Sequence, residues 1–517
     1  SAVAVFGKSI AINAPEWVPN GASESVGHDF ASFSLPFHFF PDYAGNKSHP
    51  NLFSRDIINL FYEKTGAHPH IRVGGTSGDR SIYNASQQES IILSKEYDNG
   101  IPIEVSIGKA FFEGLDNFPG IPWTFQVNLA NNKSNGLENA ITEARIALSH
   151  IKEKLVAFEI GNEPDLYPGM VRPLNYTTAE YVKEWNRYAD AISKHVLKGN
   201  PYGLDSWRLF QALTFVYKGD GFSTAGAFKD GIDEKGHVKT VSLHQYAAGN
   251  QYWVRLQNSF MNHTAVAGNL TQYIPDMKAI KEADPSIKLV LGETNSDYVN
   301  LGMDQVEGVF GSSLWLADYL LYGMSQVRIS CTNSMNVIRN THKMKNISRF
   351  NLIQGTNFGY AGWVPVHYNG QAPHVRPPLY GQILAADVIG HHKDVQIAPI
   401  NLDHWDLSAY AVYQAGILAK YAVINLDEWN TTTHYPRPSR KFELRVPSKV
   451  HSAEVKRLFG PGASSTTEIS WGGVSWNWTE NGRLGRTGED KVEVIRTHAG
   501  ILSLEVHSTE AVIVSLY

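Results

Sequence analysis

Three carboxylates lie within seven positions of the stretch AFEIGNEPDLY: Glu159, Glu163 and Asp165. The run LVAFEIGN reads as a buried β-strand, and Pro164 ends its hydrogen-bond ladder directly afterwards. Glu163 therefore falls just past the end of the strand. Glu159 lies inside the strand and is predicted to be a paired structural acid, while Asp165 is predicted to orient its neighbours in the loop.

A second acid with the same kind of placement is Glu293, which ends the strand-like run LVLGETN. Two carboxylates about 5–5.5 Å apart are what a retaining glycosidase needs, because one protonates the leaving oxygen while the other attacks the anomeric carbon. Asn162, directly before Glu163, is placed to hydrogen-bond the 2-hydroxyl of the sugar. The pattern predicts glycoside hydrolysis and, by itself, leaves open which acid takes which role.

The elements that must position these acids alternate along residues 22–391. Apolar runs rich in β-branched residues are separated by segments whose apolar residues recur at three- and four-residue spacing. The runs span 29–37, 70–77, 124–130, 155–162, 207–215, 238–246, 287–295 and 327–333, and one further run, 101–112, reads as an insertion before the third strand. Eight such strands predict a (β/α)8 barrel, whose active residues lie at the carboxyl ends of the strands.

A different pattern follows the stretch PPLYGQILAADVIG at 377–390, which reads as the last helix of the barrel. Short alternating strands with turn signals between them predict an antiparallel β-sandwich domain over 392–517. The N-terminal segment 1–21 precedes the first barrel strand and is predicted to join this sandwich.

Composition narrows the class of protein further. With 43% hydrophobic and 18% charged residues among 517, the chain suits a globular protein, and a net charge of −5 argues against a nucleic-acid or other polyanion binder. No apolar run is long enough to span a bilayer. The single cysteine, Cys331, is predicted to be a buried core residue. Neither an HExxH motif nor a phosphate-binding glycine loop is present, so no metal or cofactor is expected.

Nine Asn-X-Ser/Thr sequons favour a secreted protein that carries N-linked glycans. The asparagines are Asn46, Asn84, Asn132, Asn175, Asn262, Asn269, Asn346, Asn430 and Asn477.

Several stretches resemble glycoside hydrolase family 79, which contains β-glucuronidases and heparanase. They are FASFSLPFHFFPDYAGN, IRVGGTSGDR, FEIGNEPDLY and LGETNSDY, and the resemblance extends over essentially the whole chain. It implies a barrel with a trailing β domain, with Glu163 as the acid/base and Glu293 as the nucleophile.

The resemblance also implies a pocket that reads the carboxylate of a uronic acid. Its members here would be Tyr246, Tyr298, the phenol of Tyr360 and the backbone amide of Gly359. Neutral donors of this kind bind a carboxylate without a permanent salt bridge.

One position departs from the family pattern. Pro36 stands in SFSLP, where many members carry an acid at the end of the first strand. A carboxylate there would hold hydroxyl groups around O4 of the terminal sugar. Its absence predicts room for a glucuronic acid substituted at O4 by a methyl or an α-L-rhamnosyl group, unless another loop residue takes over the hydroxyl contact.

The leading prediction is therefore a retaining, exo-acting β-glucuronidase that acts on glycans such as arabinogalactan. One alternative is a heparanase-like endo-β-glucuronidase, which would need an open cleft lined with Lys and Arg. Others are a neutral-sugar glycosidase of the same clan and a non-catalytic carbohydrate-binding barrel, which the presence of both acids opposes.

Overall fold

Eight parallel strands close into a barrel in the computed structural model, which describes residues 9–219, 221–249, 251–298, 304–325 and 347–517. Each strand pairs with its neighbour in sequence, and the eighth pairs with the first. The strands are β1 Ala31–Pro36, β2 Ile71–Gly74, β3 Trp123–Val127, β4 Leu155–Ile160, β5 Phe210–Phe215, β6 Val238–Ala248, β7 Lys288–Asp297 and β8 Ile347–Ile353.

Helices follow the strands around the outside of the barrel. The longer ones are Leu52–Thr65, Gly136–Ile151, Thr178–Ile192, Thr224–Lys229, His263–Thr271, Ile274–Ala283, Phe310–Ser325 and Pro378–Ile389, and shorter turns of helix span Phe40–Ala44, Thr76–Asp79, Lys109–Glu113 and Asp304–Glu307. Thr177 and Glu180 form a capping box that starts the helix Thr178–Ile192. Across the described ranges, no helix is both long and apolar enough to cross a membrane.

Seven of the eight predicted barrel strands overlap strands of the observed barrel. The predicted eighth strand, 327–333 with Cys331, lies outside the described residues, and its place in the barrel is taken by β8. β8, ISRFNLI, was not predicted because polar residues interrupt its apolar ones, so it lacks a continuous apolar run. Its Arg349 and Asn351 hydrogen-bond to each other, while Phe350 and Leu352 are buried in the apolar core.

The predicted insertion before the third strand is confirmed. Between β2 and β3 the chain forms a small sheet of Ser81–Tyr83, Ile91–Leu93 and Val105–Ile107, together with a hairpin of Tyr97–Asp98 and Ile101–Pro102.

Apart from a short antiparallel pair, Trp363–Val364 with His374–Val375, the remaining strands form a β-sandwich. One sheet contains the N-terminal strand Ile10–Ile12, which pairs in parallel with Ser439–Arg445, and the strand Ile501–His507. The other contains Val395–Ile400, Leu407–Gln414, Ile417–Asn425, Ser452–Phe459, Ser470–Trp471, Val474–Trp478, Leu484–Gly488, Glu493–Arg496 and Glu510–Leu516. The predicted association of the N-terminal segment with this domain is confirmed, whereas the limits 1–21 plus 392–517 stay a prediction.

Asp387, on the helix Pro378–Ile389, ties the barrel to the sandwich. Its carboxylate accepts hydrogen bonds from Lys64 of a barrel helix at 2.8 Å, and from Lys456 at 2.9 Å and the indole of Trp471 at 2.5 Å in the sandwich. Although burial alone would raise the pKa of Asp387, the two lysines lower it overall.

We expect Asp387→Asn to destabilise the folded protein by about 1–2 kcal/mol at neutral pH, because two partly buried ammonium groups lose their counter-charge. The pKa of Asp387 is depressed on folding, so the loss should shrink as pH falls through that pKa. Urea unfolding at pH 7 and pH 3 measures both effects. Asp230→Asn, at an exposed acid, is the control, and equal stability of the two variants at pH 7 would contradict the assignment.

Candidate active site

The predicted catalytic acid Glu163 lies in a tight turn at the carboxyl end of β4. Gly161 adopts φ +79°, where an added Cβ would lie 2.8 Å from Cβ of Leu129 and from the hydroxyl of Tyr167. Glu163 itself has φ +47°, a left-handed conformation that costs a non-glycine residue on the order of 1 kcal/mol. A short 3-10 turn then begins at Pro164. The turn directs the carboxylate of Glu163 into the mouth of the barrel.

Glu163 and Glu293 meet across this mouth. Glu293 lies on β7, in register with His244 of the neighbouring strand β6. One side-chain oxygen of each glutamate and one ring nitrogen of His244 all lie within 4.8 Å of one another. Both acids have little exposure, at 14% and 8% of their side chains. This separation suits a retaining mechanism, in which no water has to fit between the acids in the first step.

Arg72, on β2, organises the interior beneath the two acids. Its side chain is fully buried, and it donates through Nε and Nη2 to Oε1 of Glu159, at 2.8 and 2.5 Å. Through Nη1 it donates to Oε2 of Glu293 at 2.7 Å and to Ser34 at 3.1 Å. A second Nη2 bond reaches Oδ1 of Asn162 at 2.7 Å. All five guanidinium N–H groups are therefore satisfied.

Glu159 is the paired structural acid that the sequence predicted. Its side chain faces the barrel interior, where Oε2 accepts a 2.5 Å hydrogen bond from Gln211 in addition to the Arg72 contacts. Asp165 is also a loop organiser, as predicted, since its carboxylate accepts three backbone N–H groups of the β5 loop.

The surroundings separate the pKa values of the two reacting acids. Burial raises the pKa of Glu163, and the negative charge of Glu293 adds to that effect, although the contact with His244 opposes it. Burial by itself would also raise the pKa of Glu293. The charges of His244 and Arg72 and the hydrogen bond from Tyr246 nevertheless lower that pKa overall. These opposite directions favour the proton on Glu163 and the negative charge on Glu293, which is the arrangement that acid-assisted displacement requires.

Asp79 supports the turn that carries Glu163. Its Oδ2 accepts the backbone N–H of Asn162 at 2.9 Å and the hydroxyl of Tyr167 at 2.5 Å. Burial raises the pKa of Asp79 to about 7. Because Oδ1 of Asn162 is held by Arg72, its Nδ2 group is left to donate toward the mouth, with one long contact of 3.5 Å to Thr76.

The four predicted uronate-binding residues occupy different depths of the site. Tyr246 is close to the reacting centre, since its hydroxyl donates to Oε1 of Glu293. Tyr360 and Gly359 are buried in the loop after β8, and the ring of Tyr360 packs 5.2 Å from Phe358. Tyr298 is 58% exposed, with its ring centroid 6.3 Å from that of Tyr246.

Pro36, the predicted wall residue, lies near the candidate nucleophile. It is the last residue of β1 and is buried. A Cβ placed on Gly75 would lie 3.8 Å from Cα and Cβ of Pro36 and also 3.8 Å from Oε2 of Glu293. Pro36 is therefore near Glu293 and contributes no charge there.

Sequence reasoning missed Arg72, His244 and Asp79 as site residues. The available signal for Arg72 was an arginine inside the apolar strand IRVG, which needs a buried counter-charge. For His244 it was a histidine within the buried run VSLHQY. Nothing local marked Asp79.

One group of described side chains has the geometry to hold a metal ion, and it is Glu163, His244 and Glu293. Oε2 of Glu293 already accepts from the guanidinium of Arg72, whose positive charge opposes a second cation there. The donor set fits proton transfer and nucleophilic attack better than metal binding.

The chain is similar to known glycosidases over nearly its full length. A family model described as the glycosyl hydrolase family 79 C-terminal beta domain matches residues 409–513. A β-glucuronidase of Aspergillus niger is 33% identical, over 94% of this chain and 93% of that protein. A β-glucuronidase of Neurospora crassa is 29% identical, over 92% of this chain and 88% of that protein.

The fold has a solved counterpart in a 4-O-α-L-rhamnosyl-β-D-glucuronidase from Fusarium oxysporum. The two structures align with a TM-score of 0.79 and 21% identity, covering 98% of this chain and 100% of the other. With the Aspergillus relative above 30% identity along nearly the whole sequence, this chain belongs to glycoside hydrolase family 79.

Proposed function

We propose that this protein is a retaining, exo-acting β-glucuronidase. The observation that carries the proposal is the pair of largely buried carboxylates, Glu163 and Glu293, which approach within 4.8 Å and have pKa values shifted in opposite directions. Two relatives of the same family that align along most of the chain are named β-glucuronidases, which supports the choice of sugar.

In the first step, the ionised carboxylate of Glu293 attacks the anomeric carbon. Glu163 gives its proton to the glycosidic oxygen as that bond breaks, so the leaving group departs as an alcohol. In the second step, Glu163 takes a proton from water, whose oxygen displaces Glu293 and releases the free sugar. Arg72 and Tyr246 hold one oxygen each of Glu293, which fixes the direction of attack.

The uronate would be held by neutral donors. Burial raises the pKa of Tyr360, and the charge of Glu307 adds to this effect, so its phenol stays protonated and able to donate. With Tyr298 and the amide of Gly359, it offers the sugar carboxylate hydrogen bonds without a fixed cation. Tyr246 was predicted for the same pocket, but its one O–H proton is donated to Glu293, so it supports the nucleophile. Binding then discriminates a uronic acid from a neutral sugar, because an unfilled buried donor is costly.

The uncharged side chain of Pro36 would leave space for a substituent on O4 of the bound sugar. Because this wall residue lies near Glu293 and carries no charge, we propose that glucuronic acid substituted at O4 by methyl or α-L-rhamnosyl is also accepted. The Fusarium oxysporum protein is named for a rhamnosyl substrate, so the fold is compatible with a capped sugar.

Secretion and N-glycosylation remain part of the proposal. The sequon asparagines within the described ranges are all at least partly exposed, so attachment of glycans at these positions would not disrupt the core. The intact mass of secreted protein before and after N-glycosidase treatment tests this.

Glu293→Gln should abolish hydrolysis of both aryl and glycan glucuronides, because it removes the nucleophile. Glu163→Gln should lower the rate on a glycan substrate about 100- to 10,000-fold and affect a nitrophenyl glucuronide far less, because a nitrophenolate leaves without a proton. Steady-state kinetics on both substrates checks this, with Glu153→Gln, at an exposed acid, as the control. Full activity of the Glu293 variant would refute the assignment.

The pH profile of kcat/KM should be a bell whose alkaline limb reports Glu163 and whose acid limb reports Glu293. The contacts of His244 lower the pKa of both acids. His244→Gln should therefore move both limbs to higher pH. Limbs that stay in place, or move in opposite directions, would show that His244 does not tune the pair; His434→Gln, at an exposed histidine, is the control.

Mass spectrometry of products from an arabinogalactan with both free and rhamnose-capped glucuronic acid ends should detect the rhamnosyl-glucuronic acid disaccharide beside free glucuronic acid. Pro36→Glu should reduce the share of the disaccharide, since it restores an acid at the wall, whereas Pro36→Ala should preserve it. Free glucuronic acid as the sole product of the native enzyme would mean that another residue closes the site.

A further inference from the structure

Three large aromatic side chains are highly exposed on loops that follow β5 and β6. Tyr217 is 68% exposed, Tyr252 is 84% exposed and Trp253 is 61% exposed. We call these three residues the aromatic rim. Tyr252 and Trp253 pack edge to face, with ring centroids 4.9 Å apart. Apolar surface exposed in this way beside a binding site is typical of ligand contact.

The loop that contains Tyr217 is hydrogen-bonded to the loop that carries the acid/base. Oδ2 of Asp165, two residues after Glu163, accepts the backbone N–H groups of Val216 at 3.1 Å, Tyr217 at 2.7 Å and Lys218 at 2.9 Å. The position of Tyr217 is thus set relative to the proton donor.

The Tyr252–Trp253 pair is connected to the nucleophile by a chain of contacts. Tyr246 hydrogen-bonds Glu293, and its ring lies 6.3 Å from that of Tyr298. The hydroxyl of Tyr298 accepts a 3.2 Å hydrogen bond from Gln251, the residue directly before this pair. The rim therefore belongs to the same mouth as the two acids.

The mechanism places the leaving group on this side of the mouth. Glu163 must reach the glycosidic oxygen, so the group attached to that oxygen begins beside the β4 loop that carries Glu163 and the β5 loop bonded to it. Part of the rim, Tyr217, is held by the acid/base loop itself. A leaving group longer than one unit would pass over the aromatic rim.

The charges in these loops indicate that the leaving group is neutral. Within the described parts of 164–177, 216–223 and 249–262, two of the three cationic side chains are paired with carboxylates. Arg172 pairs with Glu184 at 3.1 Å and Lys218 with Asp276 at 2.9 Å. Arg255 is exposed and donates only to backbone carbonyls, one of them that of Tyr252 at 2.7 Å, so its charge is not compensated. A sulfated or uronate-rich chain would therefore find a single counter-charge here, whereas a polyanion site needs several.

We propose that the aromatic rim binds an uncharged oligosaccharide leaving group by stacking its sugar rings. The C–H groups on the faces of such rings carry partial positive charge and pack against the electron-rich faces of Tyr and Trp. This proposal rests on the proposed function for the position of the leaving group. It makes the enzyme selective for glucuronic acid on neutral glycan chains over glucuronic acid in a polyanion.

The kinetic test compares a glucuronosyl galacto-oligosaccharide of four sugars with 4-nitrophenyl β-glucuronide. For Trp253→Ala, Tyr252→Ala and Tyr217→Ala, the ratio of kcat/KM on the oligosaccharide to that on the aryl substrate should fall about tenfold. Trp17→Ala, which removes an equally exposed tryptophan at 63% from the sandwich side, should leave the ratio unchanged. Unchanged ratios in all three rim variants would overturn the proposal.

A binding test separates this proposal from the proposed function. Calorimetry with galactotetraose, which lacks glucuronic acid, should show binding to the native protein and weaker binding to Trp253→Ala, whether or not the enzyme hydrolyses glucuronides. No binding to the native protein, or equal binding to both proteins, would refute the proposal that the aromatic rim binds sugar rings. Tighter binding of a heparan sulfate tetrasaccharide than of galactotetraose would overturn the preference for a neutral chain.

Discussion

The whole site depends on one buried guanidinium. Arg72 stands among Glu159, Glu293 and Asn162, and each of its N–H groups has an acceptor. If this charge were absent, two carboxylates buried in the barrel interior would repel each other and their pKa values would rise. The charge of Arg72 lowers the pKa of Glu293, and the same guanidinium orients Asn162.

The barrel is built to leave room for that arginine. At Gly74, two residues further along β2, an added Cβ would lie 2.6 Å from Nε of Arg72 and 2.6 Å from Oε1 of Gln126. A larger residue would push the guanidinium out of the plane in which it meets Glu159. Arg72 lies on β2, whereas its partners Glu159 and Glu293 lie on β4 and β7. The site therefore forms only when the barrel closes.

Above this constant centre, the loops decide which substrate fits. In the function we propose, the wall at Pro36 sets how much can be attached to O4 of the sugar, and the aromatic rim contacts what is attached at C1. Each feature lies on a loop or at a strand end, where substitutions change the pocket and leave the Arg72 network intact. Specificity is therefore separable from the chemistry of the two acids.

The sequence alone predicted the barrel, the trailing β domain and both candidate catalytic acids, because strand patterns and the Asn-Glu-Pro turn after β4 are local. The eighth strand escaped prediction because the side chains facing the barrel interior are polar and hide its apolar pattern. Only the tertiary structure brought Glu163, His244 and Glu293 within 4.8 Å and gave each acid its own pKa shift. Those properties depend on side chains from separate strands sharing one desolvated space, which no local stretch of sequence specifies.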